Sequence, residues 1–194
     1  MLILCLAGAA NASSLDSLVK ECDDCHGNNG VSLEADIPTI AGFSATTIED
    51  MMFAYIDKKR PATRSKFRRG DTGRPATDMY VIATNLAETD IERLAAYYAK
   101  QTFIASKQKF NRDLVQAGSK LHTSGCVKCH EAGGSSADDD AGILAGQWIP
   151  YLQQAFKEYR SGERKTLRKM TKEINKLSEK DIDALIHFYA SQQE

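Results

Sequence analysis

The chain has 194 residues with 25 Lys and Arg against 26 Asp and Glu, a formal net charge of -1. Near-neutrality excludes nucleic acid or an anionic membrane surface as the main partner. The length suits two small domains of about 90 residues, each with a modest apolar core that a bound group would have to complete.

Residues 1–12 form an apolar run, with Cys5 inside it, that ends in Ala10-Asn11-Ala12. This is the pattern of a secretory signal cleaved after Ala12, so the mature chain is expected from Ser13, in the periplasm. The missing charged n-region points to a truncated start, and Cys5 leaves with the signal. Beyond residue 12 no apolar stretch approaches the length of a membrane span.

The first predicted helix carries Cys22-Asp23-Asp24-Cys25-His26. Cys-x-x-Cys-His is the attachment signature of c-type haem: two thioethers to the porphyrin vinyls, with the histidine as proximal iron ligand. A bare Cys-x-x-Cys also serves zinc and thioredoxin-like redox centres. Neither explains the histidine, and it recurs in Cys126-Val127-Lys128-Cys129-His130. Two covalently bound haem c groups are therefore expected, on Cys22, Cys25, Cys126 and Cys129, with His26 and His130 beneath the irons.

A middle helix is predicted from Thr46 with Glu49, which have capping-box spacing, and its Met51, Met52 and Phe53 read as ordinary core. A basic run follows: Lys58, Lys59, Arg60, Arg64, Lys66, Arg68, Arg69 and Arg74 against one acid, Asp71. It reads either as a solvated loop or as a patch steering an acidic partner protein to the first haem. Met79 comes next. The final helix of this half is expected from Thr89 with Glu92, burying Ile91, Leu94, Ala95 and Tyr98 at i, i+3, i+4, i+7.

The second half repeats the first. An offset of 104 superposes the two haem motifs, Ile40-Ala41-Gly42 on Leu144-Ala145-Gly146, Ile48 on Leu152 and Tyr55 on Tyr159. Further on the offset is 91, placing Leu86 on Leu177, Asp90 on Asp181 and the Ile91 to Gln101 stripe on Ile182 to Gln192. The difference is a 13-residue insertion in the first copy between Tyr55 and Met79. The layout is a duplicated all-α domain, 13–100 and 111–194 joined by a linker at 101–110. In the second copy Pro150 falls near the start of the middle helix, and Ser178 with Asp181 marks the start of the last. The aromatic pairs Tyr97-Tyr98 and Phe188-Tyr189 read as packing against the first helix of each copy.

Met79 and Met170 are superposed by the offset of 91, each between middle and final helix, and Met170 is the only methionine of the second half. They are the candidates for distal iron ligand, since a thioether favours ferrous iron. His122 and His187 align with Leu18 and Ala96, so the repeat gives them no ligand role. Trp148 is expected to pack near the haem edge, and Asp138-Asp139-Asp140 to form a solvated loop rather than a calcium site.

These residues resemble the dihaem class I cytochromes c, two tandem domains from an internal duplication. The likeness is densest in Lys120-Leu121-His122, Cys126-x-Lys128-Cys129-His130, Ile143-Leu144-Ala145-Gly146-Gln147-Trp148 and Phe188-Tyr189-Ala190-Ser191-Gln192-Gln193. There the chain is similar to the cytochrome subunit of flavocytochrome c sulfide dehydrogenase. The insertion from Asp57 to Pro75 departs from that pattern. The resemblance implies an electron carrier that accepts electrons from an FAD-containing sulfide dehydrogenase subunit. No Gly-x-Gly-x-x-Gly after a strand is present, so FAD belongs to the partner. The alternative is a free shuttle of the cytochrome c4 type, feeding a terminal oxidase or another reductase. A dihaem catalyst would need an open or unusually ligated iron, against which two methionine candidates argue.

Overall fold

The structure, a computed structural model, describes residues 13–193, so the expected signal segment and Cys5 lie outside the described residues. Four helices build the first module: α1 (Leu15–His26), α2 (Ala45–Ile56), α3 (Met79–Thr84) and α4 (Glu88–Tyr98). Four more repeat the order: α5 (Arg112–Leu121), α6 (Ile149–Ser161), α7 (Arg168–Lys176) and α8 (Glu179–Ala190). Among the described residues the extended pairing is one isolated bridge, Ser65 with Thr77.

Helix starts follow local chemistry, with two departures from the sequence reading. Ser178 and Asp181 close a reciprocal capping box at α8, and Pro150 sits in the first turn of α6. At α2 the cap is Ser44, whose hydroxyl accepts from the Thr47 amide, and not Thr46. At α4 the chain enters through Ala87 without a side-chain cap, so Thr89 lies inside the helix. Acidic Glu88 and Asp90 in that first turn complement the helix dipole instead.

The repeated Ala-Gly step has a definite role. Gly42 (φ 73) and Gly146 (φ 74) turn the chain through left-handed backbone that a side chain would strain. Their amides donate to the carbonyls of Tyr98 (2.9 Å) and Tyr189 (2.8 Å), the ends of the final helices. The carbonyls of Gly30 and Gly134 accept from the residues just before, at 2.8 Å from Ile40 and 2.8 Å from Leu144. Each module thus ties the loop after its haem motif to the end of its last helix.

Ile91, Leu94, Ala95 and Tyr98 are buried, and so are Ile182, Leu185, Ile186 and Tyr189. Each large side chain so buried contributes about 1.5–3 kcal/mol, and together they hold the final helices onto the rest. Between the modules, the fully buried Gln147 grips both backbone groups of the equally buried Thr39: its Oε1 accepts from the amide (3.1 Å) and its Nε2 donates to the carbonyl (2.7 Å). Trp148 donates its indole N–H to the Ser32 carbonyl across the same boundary, at 3.1 Å. The Asp138 to Asp140 segment is a loop in which the Asp139 carboxylate accepts from the Glu131 and Ala141 amides and the Asp140 carboxylate from the Ser44 hydroxyl of the first module.

Candidate haem sites

Cys22, Cys25 and His26 fall at i, i+3 and i+4 in the last turn of α1 and therefore share one face. Gly27, at φ 80, stops the helix there. His26 is buried, and its Nδ1 lies 2.9 Å from the Pro38 carbonyl. That bond fixes the proton on Nδ1 and leaves the Nε2 lone pair free, the arrangement a metal-ligating histidine needs. Burial lowers the pKa of His26, which favours the same neutral form.

Burial pushes the Cys22 thiol up to about 12, against a hydrogen bond with Tyr98 that pulls the other way. Cys25 and Cys126 are also raised, chiefly by burial. The attacking thiol of a redox dithiol needs the opposite shift, so burial of these three lends the thioredoxin-like reading no support. Zinc fares no better: among the described residues no three His, Cys, Asp or Glu side chains cluster as a metal site would require.

The motif lines a crevice of about 220 Å³ together with Met79 and Ile82 of α3 and the apolar Ile40, Phe43 and Leu94. This exceeds the roughly 150 Å³ cavity that accommodates benzene. An apolar slot lined by two thiols, an imidazole with a free lone pair and a thioether fits a haem. When bound, the haem supplies a one-electron couple; Cys22 and Cys25 would hold it, His26 and Met79 would address its iron. Met51 and Met52 border the same crevice from α2, Met52 as buried core and Met51 against Gly142 of the second module.

The second motif is built differently. Thr123, Ser124 and Gly125 are poor helix formers, and the two hydroxyls bond back to the carbonyls of Ser119 and Leu121. The helix widens to a π turn over His122–Cys126, with the Val127 amide donating to the His122 carbonyl at 3.0 Å. Cys126 and His130 keep the helical relation through the His130 amide to the Cys126 carbonyl at 3.0 Å. His130 is buried, whereas Lys128 and Cys129 are exposed. Burial lowers the pKa of His130 as it does that of His26, but the carbonyl of Gly142, in register with Pro38, does not meet hydrogen-bond geometry with Nδ1. Met170 lies on α7 one turn before Glu173, whose carboxylate stands 3.6 Å from where a Cβ on Gly125 would be. α7 thus runs alongside the motif, and the Met170 sulfur accepts from the Thr166 hydroxyl at 3.2 Å.

His122 is buried against the rings of Phe188 and Tyr189, and its Nδ1 meets the Tyr189 hydroxyl at 3.1 Å. It orients Tyr189. His187 faces outward to Asp183 and the Asn111 amide.

The basic run is tied down in part: Lys58, Arg64 and Lys66 stay exposed with no carboxylate paired to them among the described residues, while the other cations are engaged. Arg74 pairs with Glu21 (2.6 Å) and Asp24 (2.7 Å), and Arg68 pairs with Asp36 (2.7 Å). Arg69 donates to Asn28, and Arg60 is buried between the modules. Cations neutralised at such distances leave little field to steer a partner.

Three features escaped the sequence reading. Tyr98 and Tyr189 do more than pack: the Tyr98 hydroxyl donates to the Asp23 carboxylate within the first motif at 2.9 Å, and the Tyr189 hydroxyl meets the His122 Nδ1 at 3.1 Å, just before the second. The repeat carries the signal: both keep a hydroxyl while their neighbours are Tyr97 and Phe188. Arg60 and Arg164 also match at the offset of 104, each stacked on its own tyrosine, Tyr55 (4.7 Å) and Tyr159 (4.5 Å). The insertion, expected between Tyr55 and Met79, is thereby narrowed to the stretch after Arg60. Burial pushes the nearby Tyr151 phenol up, but these two guanidiniums outweigh it and bring it below its ordinary value. The Pro38 carbonyl left no mark, because its counterpart is a glycine.

Two tandem all-α modules, each with a buried histidine directly after Cys-x-x-Cys, define a dihaem electron-transfer protein. The chain belongs to the cytochrome c family, whose model matches it twice, over residues 16–101 and 115–193. Membership implies covalently bound haem c, and there are two motifs to hold it. Cytochrome c4 of Pseudomonas aeruginosa is 28% identical over 190 residues, covering 91% of this chain and 86% of that protein. The fold superposes on reduced recombinant cytochrome c4 from Pseudomonas stutzeri with a TM-score of 0.72 at 23% identity, over 93% of this chain and all of that one. It also superposes on a thiosulfate dehydrogenase from Marichromatium purpuratum, with a TM-score of 0.68 at 22% identity, over 88% of this chain and 36% of that one. The layout is cytochrome c4-like.

Proposed function

We propose that the chain is a periplasmic dihaem electron shuttle of the cytochrome c4 type, relaying single electrons between redox proteins, with a terminal oxidase or another reductase as acceptor. In this reading Cys22, Cys25, Cys126 and Cys129 attach the haems, His26 and His130 are the proximal ligands, and Met79 and Met170 the distal ones. The observation that carries it is the crevice that brings Cys22, Cys25, His26 and Met79 together. The module boundaries, 13–100 and 111–194 with a linker at 101–110, belong to the same reading. Likeness to cytochrome c4 along 91% of the chain supports a free carrier. The narrower assignment, a subunit fed by an FAD-containing sulfide dehydrogenase, rests on the motifs of the second half. Purification from the native source separates the two. A chain that elutes alone and is reoxidised by a membrane oxidase fraction supports the shuttle; stable co-elution with a flavoprotein that reduces it on addition of sulfide supports the subunit.

A further inference from the structure

Residues 61–78 stand where the second module has the short connection 165–169, longer by the 13-residue insertion, and fold across the first haem motif as a strap. The strap is closed on itself by the paired backbone bonds of Ser65 and Thr77, at 2.7 and 2.9 Å. It is fastened to one residue of the attachment motif, Asp24. The Asp24 carbonyl accepts from the amides of Arg68 (2.8 Å) and Arg69 (2.9 Å), and its carboxylate from Arg74 (2.7 Å). Arg74 also binds Glu21 at 2.6 Å and lies over the buried Phe67 ring at 3.5 Å. Gly70, at φ +61, sits so near that a Cβ there would come within 2.6 Å of the Asp24 carboxylate. From the inner side of the strap, Pro61, Ala62 and Phe67 contribute to the crevice wall. The second motif has the exposed Lys128 in register with Asp24, a cation that could accept no such clamp.

We propose that the strap sets the reduction potential of the first haem, holding it above the second so that a single electron on the protein rests on the first. The proposal assumes the reading that both motifs carry haem. A ferric haem bears one more positive charge than a ferrous one, and water stabilises the more highly charged form. Covering the crevice therefore raises the potential. Glu21 and Asp24 would lower it by favouring ferric iron, and Arg74, which bonds both, offsets them together with Lys20, 3.1 Å from Asp24. Arg74 is a positioning residue here: it acts through the carboxylates and the strap. When an electron crosses within the protein, the second iron is oxidised as the first is reduced, with no other reactant.

The test is a potentiometric titration of the purified holoprotein, with haem content checked by pyridine haemochrome. Arg74→Gln frees the strap, leaves Glu21 without its cation and leaves Asp24 with Lys20 alone. The expected result is that the higher of two one-electron waves falls, the lower stays, and the distribution of one electron between the haems shifts about tenfold. Arg74→Lys, which keeps the charge, should shift it less. A second variant replaces residues 61–78 by the short connection of the second module, 165–169, and should lower the same wave even if Arg74→Gln folds poorly. Waves that stay put, or that move together, in variants retaining two haems overturn the proposal. A wild-type protein with fewer than two haems would instead defeat the dihaem reading.

Discussion

The two modules share a register yet hold their haem motifs with different firmness. In the first, α1 runs unbroken through Cys25 to His26, Pro38 fixes the imidazole, and the strap closes over Asp24. In the second, a π turn precedes the motif, His130 lacks the matching hydrogen bond, and Cys129 faces solvent. The cause is local chemistry. Val19-Lys20-Glu21 continues a helix where Thr123-Ser124-Gly125 loosens it, and Asp24 invites arginines where Lys128 repels them. A duplication that began with two equal sites has thus diverged into a covered site and an open one, which suits a carrier that receives electrons at one end and stores them at the other.

That contrast can be broken at the axial ligands, where the largest change is expected. In the ferric protein, Met79→Ala and Met170→Ala should each remove about half of the weak far-red sulfur-to-iron charge-transfer band, and Met51→Leu or Met52→Leu none of it. If the band is lost on changing Met51 or Met52 while Met79→Ala is silent, the ligand assignment in the covered site is wrong.

A smaller effect is expected where the modules meet. Gln147→Ala deprives the buried amide and carbonyl of Thr39 of their partner. A buried group left unsatisfied costs about 1–3 kcal/mol, which lowers Tm by roughly 2–4 °C per kcal/mol for a chain of this size. Differential scanning calorimetry should show the drop, with the two modules beginning to melt apart. An unchanged, single transition would mean the modules are held together elsewhere.

The finest comparison lies in the tyrosines beneath the first cysteines. Tyr98→Phe loses bonds to Asp23 (2.9 Å) and the Val19 carbonyl (3.3 Å), groups with other partners or access to water. It should cost about 1 kcal/mol. Tyr189→Phe also strands the buried His122, whose Nε2 already has no partner. Its cost should be the larger of the two, by about 1 kcal/mol in denaturant unfolding. Equal costs would show that His122 does not depend on Tyr189.

Much of this was legible in the residues, because the duplication let each half vouch for the other. The final helices, their buried stripes, the attachment motifs and the paired methionines all repeat in register. Apart from the paired tyrosines Tyr98 and Tyr189 and the paired arginines Arg60 and Arg164, what failed to show were features without a repeat. The strap arises from contacts between Arg68, Arg69, Arg74 and Asp24, up to 50 residues apart along the chain, which a one-dimensional reading sees only as a run of charge. Ser44 capped α2 in place of Thr46 because cap choice depends on where the chain turns into the helix, and Thr46 has capping spacing as well. The bond from Trp148 to the Ser32 carbonyl crosses the boundary between modules to a partner 116 residues away.

The account stands on two occupied motifs, and the intact mass of the purified, denatured chain tests that directly. The expected mass is that of the mature polypeptide plus two haems, with Cys22→Ala/Cys25→Ala losing one and Cys126→Ala/Cys129→Ala losing the other. A wild-type chain carrying one haem or none, or a cysteine pair whose removal leaves the haem count unchanged, would contradict it.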